Sequence, residues 1–149
     1  NNAISIFDAN FAIIDGGAGL DTLVLGNSAG TSFALDFAAI SGVARNIEKI
    51  EFGANTSGSD IFIDIDDVFA MTDSGHTLNI SAASAAAGST IYVVTGTSDF
   101  TASPAVNTVG ADRFLTYTGS YNGATVTLVI NETTTPGSLG GITVTQVAG

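Results

Sequence analysis

The sequence predicts an all-β domain, wound either as a parallel β-solenoid or β-roll-like stack or as a β-sandwich, with one short helix near residues 66–73. Three observations lead there. Short β-branched stretches of period two recur along the chain, as in Asp60–Ile65, where Ile61, Ile63 and Ile65 share one face. Turn residues, among them Gly26-Asn27, Ser57-Gly58 and Asn122-Gly123, separate these stretches. Hydrophobic residues make up 45% of the 149 positions, yet no run of eighteen apolar residues occurs, so the apolar content belongs to a core and not to a membrane span.

Taken in order, Thr22–Leu25 reads as a strand ending at Gly26, and Ser32–Phe37 as another. Asn46–Phe52 gives a mixed signal, with Ile47 out of phase with Ile50 and Phe52. Asp60–Ile65 follows, then the helix: Asp66-Asp67 offers an N-cap, Val68–Met71 an apolar turn and Gly75 a stop. Further strands are expected at Thr77–Ser81, Thr90–Thr95, Arg113–Thr118, Ala124–Ile130 and Ile142–Val147. Ala82–Ala87 reads either as helix or as a small-residue corner. No repeat of 20–50 residues and no interdomain linker is visible, so residues 1–149 read as one domain. The N-terminal Ile4, Ile6, Phe11, Ile13 and Ile14 are too apolar for a free tail; Ile4 and Ile6 share a strand face that suits addition to a sheet.

Charge narrows the function. Fourteen acidic residues face three basic ones, Arg45, Lys49 and Arg113, for a net charge of -11. Nucleic acid and anionic membrane surfaces repel such a chain, whereas divalent cations are drawn to it. Cysteine is absent and His76 is the single histidine, so a thiol nucleophile, a zinc set and a histidine-based nucleophile–base pair are excluded. Paired carboxylates suit a glycosidase, but no tryptophan exists to form a sugar platform. The expectation is that the domain is not an enzyme. The first ten residues lack the basic start of a signal peptide, which leaves export through a C-terminal signal.

Two clusters are candidate cation sites. Gly16-Gly17-Ala18-Gly19-Leu20-Asp21-Thr22-Leu23-Val24 fits the nonapeptide G-G-x-G-x-D-x-U-x of calcium-binding parallel β-rolls. Its glycines allow a tight turn with carbonyls free for a cation, Asp21 adds a carboxylate and Leu23 turns inward. Ca²⁺ takes six to eight oxygens, and one copy of the motif encodes at best half a site. Gly17, Gly19 and Asp21 would form that half, with Asp15 and the Ser5–Asn10 segment, including Asp8, as the candidates for the other; the alternative reading is a glycine turn without an ion. In the second cluster Asp60, Asp64 and Asp66 share a face if the strand continues, with Asp67 beside them, either as ligands or as a solvated strand face followed by an N-cap. Asn55, Asn79 and Asn131 begin N-x-S/T sequons, a pattern common by chance.

With these residues in view, the chain resembles the C-terminal region of RTX (repeats-in-toxin) adhesins exported by type I secretion. Ile14–Leu25 resembles the last repeat before that region. Val43–Phe52 is similar to the family's N-I-E-x-I-D-L strand, Asp66–Ile80 to its A-D-V-L-x-L-T-D-S-G-N-T-L-x-I segment, and Tyr117 with Ala124–Ile130 to its late hairpin. The resemblance covers most of residues 14–131, with a single nonapeptide in place of an array and without the family's late tryptophan. It implies that residues 1–26 end a calcium β-roll and that 27–149 form the C-terminal β region. It also implies a Ca²⁺-responsive protein at the bacterial cell surface, folded after export, with its secretion signal near the C-terminus. On this reading the chain is a non-catalytic domain of an adhesin or biofilm-matrix protein, with calcium and a cell-surface partner as its ligands. Two other functions remain open: a self-assembling subunit of a surface layer or filament, and the export and folding domain of a secreted hydrolase.

Overall fold

The computed structural model describes residues 1–6, 13–26, 34–37, 42–53, 60–82, 89–110, 112–133 and 142–149. Thirteen strands and one helix are placed among them. They are β1 (Ala3–Ile6), β2 (Ile14–Asp15), β3 (Thr22–Leu25), β4 (Ala34–Asp36), β5 (Ala44–Arg45), β6 (Lys49–Phe52), β7 (Asp60–Ile63), α1 (Ile65–Met71), β8 (Thr77–Ala82), β9 (Thr90–Thr95), β10 (Ala105–Val109), β11 (Asp112–Tyr121), β12 (Ala124–Thr133) and β13 (Thr143–Ala148). The all-β class with one short helix is what the sequence predicts.

The strands form three sheets. A seven-stranded sheet has the order β1-β3-β6-β8-β12-β11-β10, a four-stranded sheet the order β13-β9-β7-β4, and β2 pairs with β5. From β1 to β12 every pairing in the large sheet is parallel, as is every pairing in the other two; only the β12-β11-β10 end is antiparallel. The chain therefore passes from the first sheet to the second and back: β3 to β4, β6 to β7, β8 to β9 and β12 to β13. After β4 it visits the small sheet at β5; after β7 it enters α1, whose Met71 carbonyl accepts the Ile47 N–H just beyond β5.

In-register stacking lines up the core. Ile4, Leu23, Ile50, Ile80, Ile130, Leu115 and Val106 occupy one row across the seven-stranded sheet. Leu23, Ile50, Ile80 and Ile130 are buried, facing Ile61, Ile63, Ile91 and Val93 in the same core. Each such side chain contributes roughly 1.5–3 kcal/mol by leaving water. On the outer face Lys49 and Glu51 form an ion pair at 2.6 Å, and on the second sheet Phe62 stacks on Tyr92 with ring centroids 4.4 Å apart.

Several expected boundaries move. The strand from Asp60 stops at Ile63, because Asp64 and not Asp66-Asp67 caps the helix: the Asp64 side chain accepts the Asp67 N–H and the Asp67 side chain accepts the Asp64 N–H. The helix ends at Thr72, before Gly75. The mixed signal at 46–52 resolves because Ile47 and Glu48 precede β6, and both are buried at the corner. Ile13 is exposed although Ile14 is buried. Strand β10 was not foreseen; Val-Asn-Thr-Val suits a strand, but all five of its residues are exposed and show no alternation. Phe11, the sequon at Asn55 and nearly all of Ala82–Ala87 lie outside the described residues.

Candidate functional site

The nonapeptide turn joins β2 to β3 and rests on the corresponding turn between β5 and β6. Gly17 and Gly19 hold φ of 84° and 119°, in the left-handed region that favours glycine. Gly16 is required for another reason: an added Cβ would lie 2.1 Å from the Asn46 carbonyl oxygen. Asp15 is exposed, and its Oδ1 accepts both the Gly17 N–H at 3.0 Å and the Asn46 Nδ2 amide at 2.8 Å. The Asn46 bond, followed by the Gly17 bond, holds the Asp15 carboxyl below the usual carboxylate range.

Asp21 has a different environment. It is fully buried, and Oδ1 accepts the backbone N–H of Asn2. Its own N–H donates to Glu48 Oε2 at 2.9 Å, and its carbonyl accepts the N–H groups of Glu48 and Lys49. Glu48 continues downward: Oε1 accepts the Asp73 N–H at 3.4 Å and its carbonyl accepts the Asn79 N–H at 2.9 Å. The strand register places Asn2, Asp21 and Glu48 at equivalent positions, each directly before its strand. Each carboxyl thus accepts the backbone N–H of the equivalent residue one strand earlier. Asp21 Oδ2 has no hydrogen-bond partner.

Asp15 is exposed and Asp21 is enclosed, and N–H donors hold one oxygen of each. As folded, Asp15 and Asp21 support the corner through these bonds, from opposite environments. Asp8, the proposed complement, lies outside the described residues.

Asp64 and Asp66 come together in another way. With the strand ending at Ile63, the expected face of Asp60, Asp64 and Asp66 does not form; Asp64 and Asp66 meet at the start of α1. Hydrogen bonding with the Asp64 carboxyl, then burial, then the Asp64 and Asp99 charges raise the Asp66 carboxyl above its usual range. Asp67 is buried, and desolvation is the main cause that pushes its carboxyl up to about 7. Asp66 and Asp67 therefore hold protons more tightly than free aspartates. Among the described residues, no three His, Cys, Asp or Glu side chains form a group that would by itself hold a metal ion.

The structure brings Glu48 and Asn2 into the polar stack, and neither is evident from the sequence. Their pairing depends on strand register across 19 and 27 residues, and no local motif encodes it. A trough of about 430 Å³ runs from Leu20 and Glu48 at the corner along the large sheet, with Lys49, Asn79, Phe114 and Asn131 also in its lining. His76 stacks on Phe69 at 4.3 Å, a packing role.

Comparison with protein-family models, curated proteins and solved structures finds no match for the chain.

Proposed function

We propose that this chain is a non-catalytic, calcium-associated extracellular domain of a type I-secreted bacterial adhesin or matrix protein, with the Asp64–Asp66 pair as its point of calcium contact. The observation that carries the reading is the crowding of carboxyls at the start of α1, where the neighbouring Asp64 carboxyl raises that of Asp66, in a chain of net charge -11. Where two carboxyls crowd, a divalent cation relieves the same repulsion that a shared proton relieves. Solvent would have to complete the six to eight oxygens that Ca²⁺ takes, so the contact is weak and responds to the millimolar calcium of extracellular media. The parallel stack supplies the scaffold, and the same acidity disfavours nucleic acid and anionic membranes as partners.

The test is thermal unfolding in millimolar Ca²⁺ and in chelator, for the unaltered chain and for Asp64→Asn and Asp66→Asn. A ligand that binds only the folded state raises Tm by mass action. The expected result is a higher Tm with Ca²⁺ that shrinks in both variants. An unchanged Tm in the unaltered chain, or a full shift retained in both variants, would overturn the reading.

A further inference from the structure

The outer edge of β10 carries a feature that neither the corner nor the acidic pair uses. All five residues, Ala105–Val109, are exposed. Val106 and Val109 are two of the five large apolar side chains left exposed among the described residues. Val106 is the last rung of the apolar row that starts at Ile4, and it is 54% exposed where Leu115 beside it is 5% exposed. A buried row thus stops at an open edge.

The edge also lacks the usual protection. Edge strands are normally shielded by charge, proline or a bulge. Pro104 precedes β10, but the strand itself contains no proline and no charge, and it pairs with β11 residue for residue from Ala105↔Thr116 to Val109↔Asp112. Residues 100–111 carry no charged side chain, although the chain has fourteen acidic groups. For two copies of so acidic a protein, this strip allows close approach at least electrostatic cost.

We infer that β10 pairs with β10 of a second copy of this chain, antiparallel and two-fold symmetric, centred on Asn107. That register is the one in which all five residues pair: Ala105 opposite the partner's Val109, Val106 opposite the partner's Thr108, and Asn107 opposite the partner's Asn107. It would join two seven-stranded sheets edge to edge and cover the exposed Val106 at the end of the apolar row with the partner's Thr108. A two-fold contact is closed, so assembly stops at a dimer. A five-residue ladder buries far less than the roughly 1,200 Å² of a standard stable interface, so the dimer is weak and concentration-dependent. The inference is independent of calcium.

Asn107 provides a test of register. In the symmetric pair, Asn107→Asp sets two carboxylates opposite each other and Asn107→Lys two ammonium groups, and like charges opposite each other on neighbouring strands destabilise the pairing. Sedimentation equilibrium in chelator and low salt should show a dimer for the unaltered chain. Each variant alone should dissociate about five-fold more readily, and an equimolar mixture of the two should recover dimer as the heteropair. Recovery on mixing also excludes misfolding of either variant. The proposal is overturned if the unaltered chain stays monomeric to millimolar concentration, if it grows into species larger than a dimer, or if the mixture dimerises no better than its components.

Discussion

The two ends of the seven-stranded sheet are built from opposite kinds of contact. At the β1 end, neighbouring strands are parallel and distant in sequence, and each is tied to the next by a polar residue just before it: Asn2 to Asp21, Asp21 to Glu48. At the β10 end, the strands are antiparallel neighbours joined by tight turns. Asn122 and Gly123, at φ 50° and 81°, close the β11–β12 hairpin, in the two-residue geometry whose backbone twist matches the flanking strands. The first end buries Asp21 and Glu48 and depends on partners far along the chain. The second is specified locally and leaves its last strand in water. A parallel edge has no local turn to hold it, so it needs tertiary hydrogen bonds; a hairpin edge forms from its turn and tolerates exposure.

The largest expected effect breaks the first end. Deleting residues 1–6 removes β1, the buried Ile6 and the N–H that Asp21 Oδ1 accepts. Lost burial and an enclosed carboxyl without its donor together cost about 4 kcal/mol. Urea unfolding should show that loss in full. A variant within about 1 kcal/mol of the intact chain would mean that β1 is a passive extension.

At the other end, Gly123→Ala should cost about 1–2 kcal/mol, because φ 81° is unfavourable for a residue with a Cβ. No heavy atom stands within 4 Å of that position, so the effect is backbone strain alone. Gly123→Asn should recover part of it, since asparagine tolerates the left-handed region. Equal losses for alanine and asparagine would show that the turn is not what sets this end.

Helix α1 lies between the two ends, and its expected signature is a slope with pH. The Asp67 carboxyl holds its proton up to about 7 in the folded chain, chiefly through burial, against an ordinary value of 3.8. Asp64 and Asp66 face it and act in the same direction by charge. Between those values the folded state carries more protons than the unfolded one, so this group stabilises the fold below about pH 4 and its contribution is lost as pH rises toward 7. Asp67→Asn keeps an acceptor for the Asp64 N–H and should flatten that part of the stability–pH curve, with its relative gain largest above pH 7. An unaltered slope in the variant would assign the dependence elsewhere.

The legible parts of the fold were those with a local cause. Thr90–Thr95 and Thr22–Leu25 are strands as their β-branched residues predict, and Leu23 turns inward as the nonapeptide pattern requires. The helix was found one cap too late, because Asp64, Asp66 and Asp67 are all competent N-caps and only the backbone at Asp64 selects among them. Of the candidate ligands, Asp15 and Asp21 are close in sequence yet lie in opposite environments, one in solvent and one in the core.

By itself the sequence determined the β-rich class, the position of one short helix, the glycine turn at 16–20 and the acidic balance that governs which partners can approach. These follow from side-chain period, backbone freedom and net charge, which are properties of short segments or of the whole composition. Only the tertiary structure decided that the strands stack in parallel register, that Asp21 accepts a backbone N–H from Asn2, and that Val106 ends a core row at an open edge. Each of these joins residues far apart in the chain, and their free energy appears only once the connecting loops have closed.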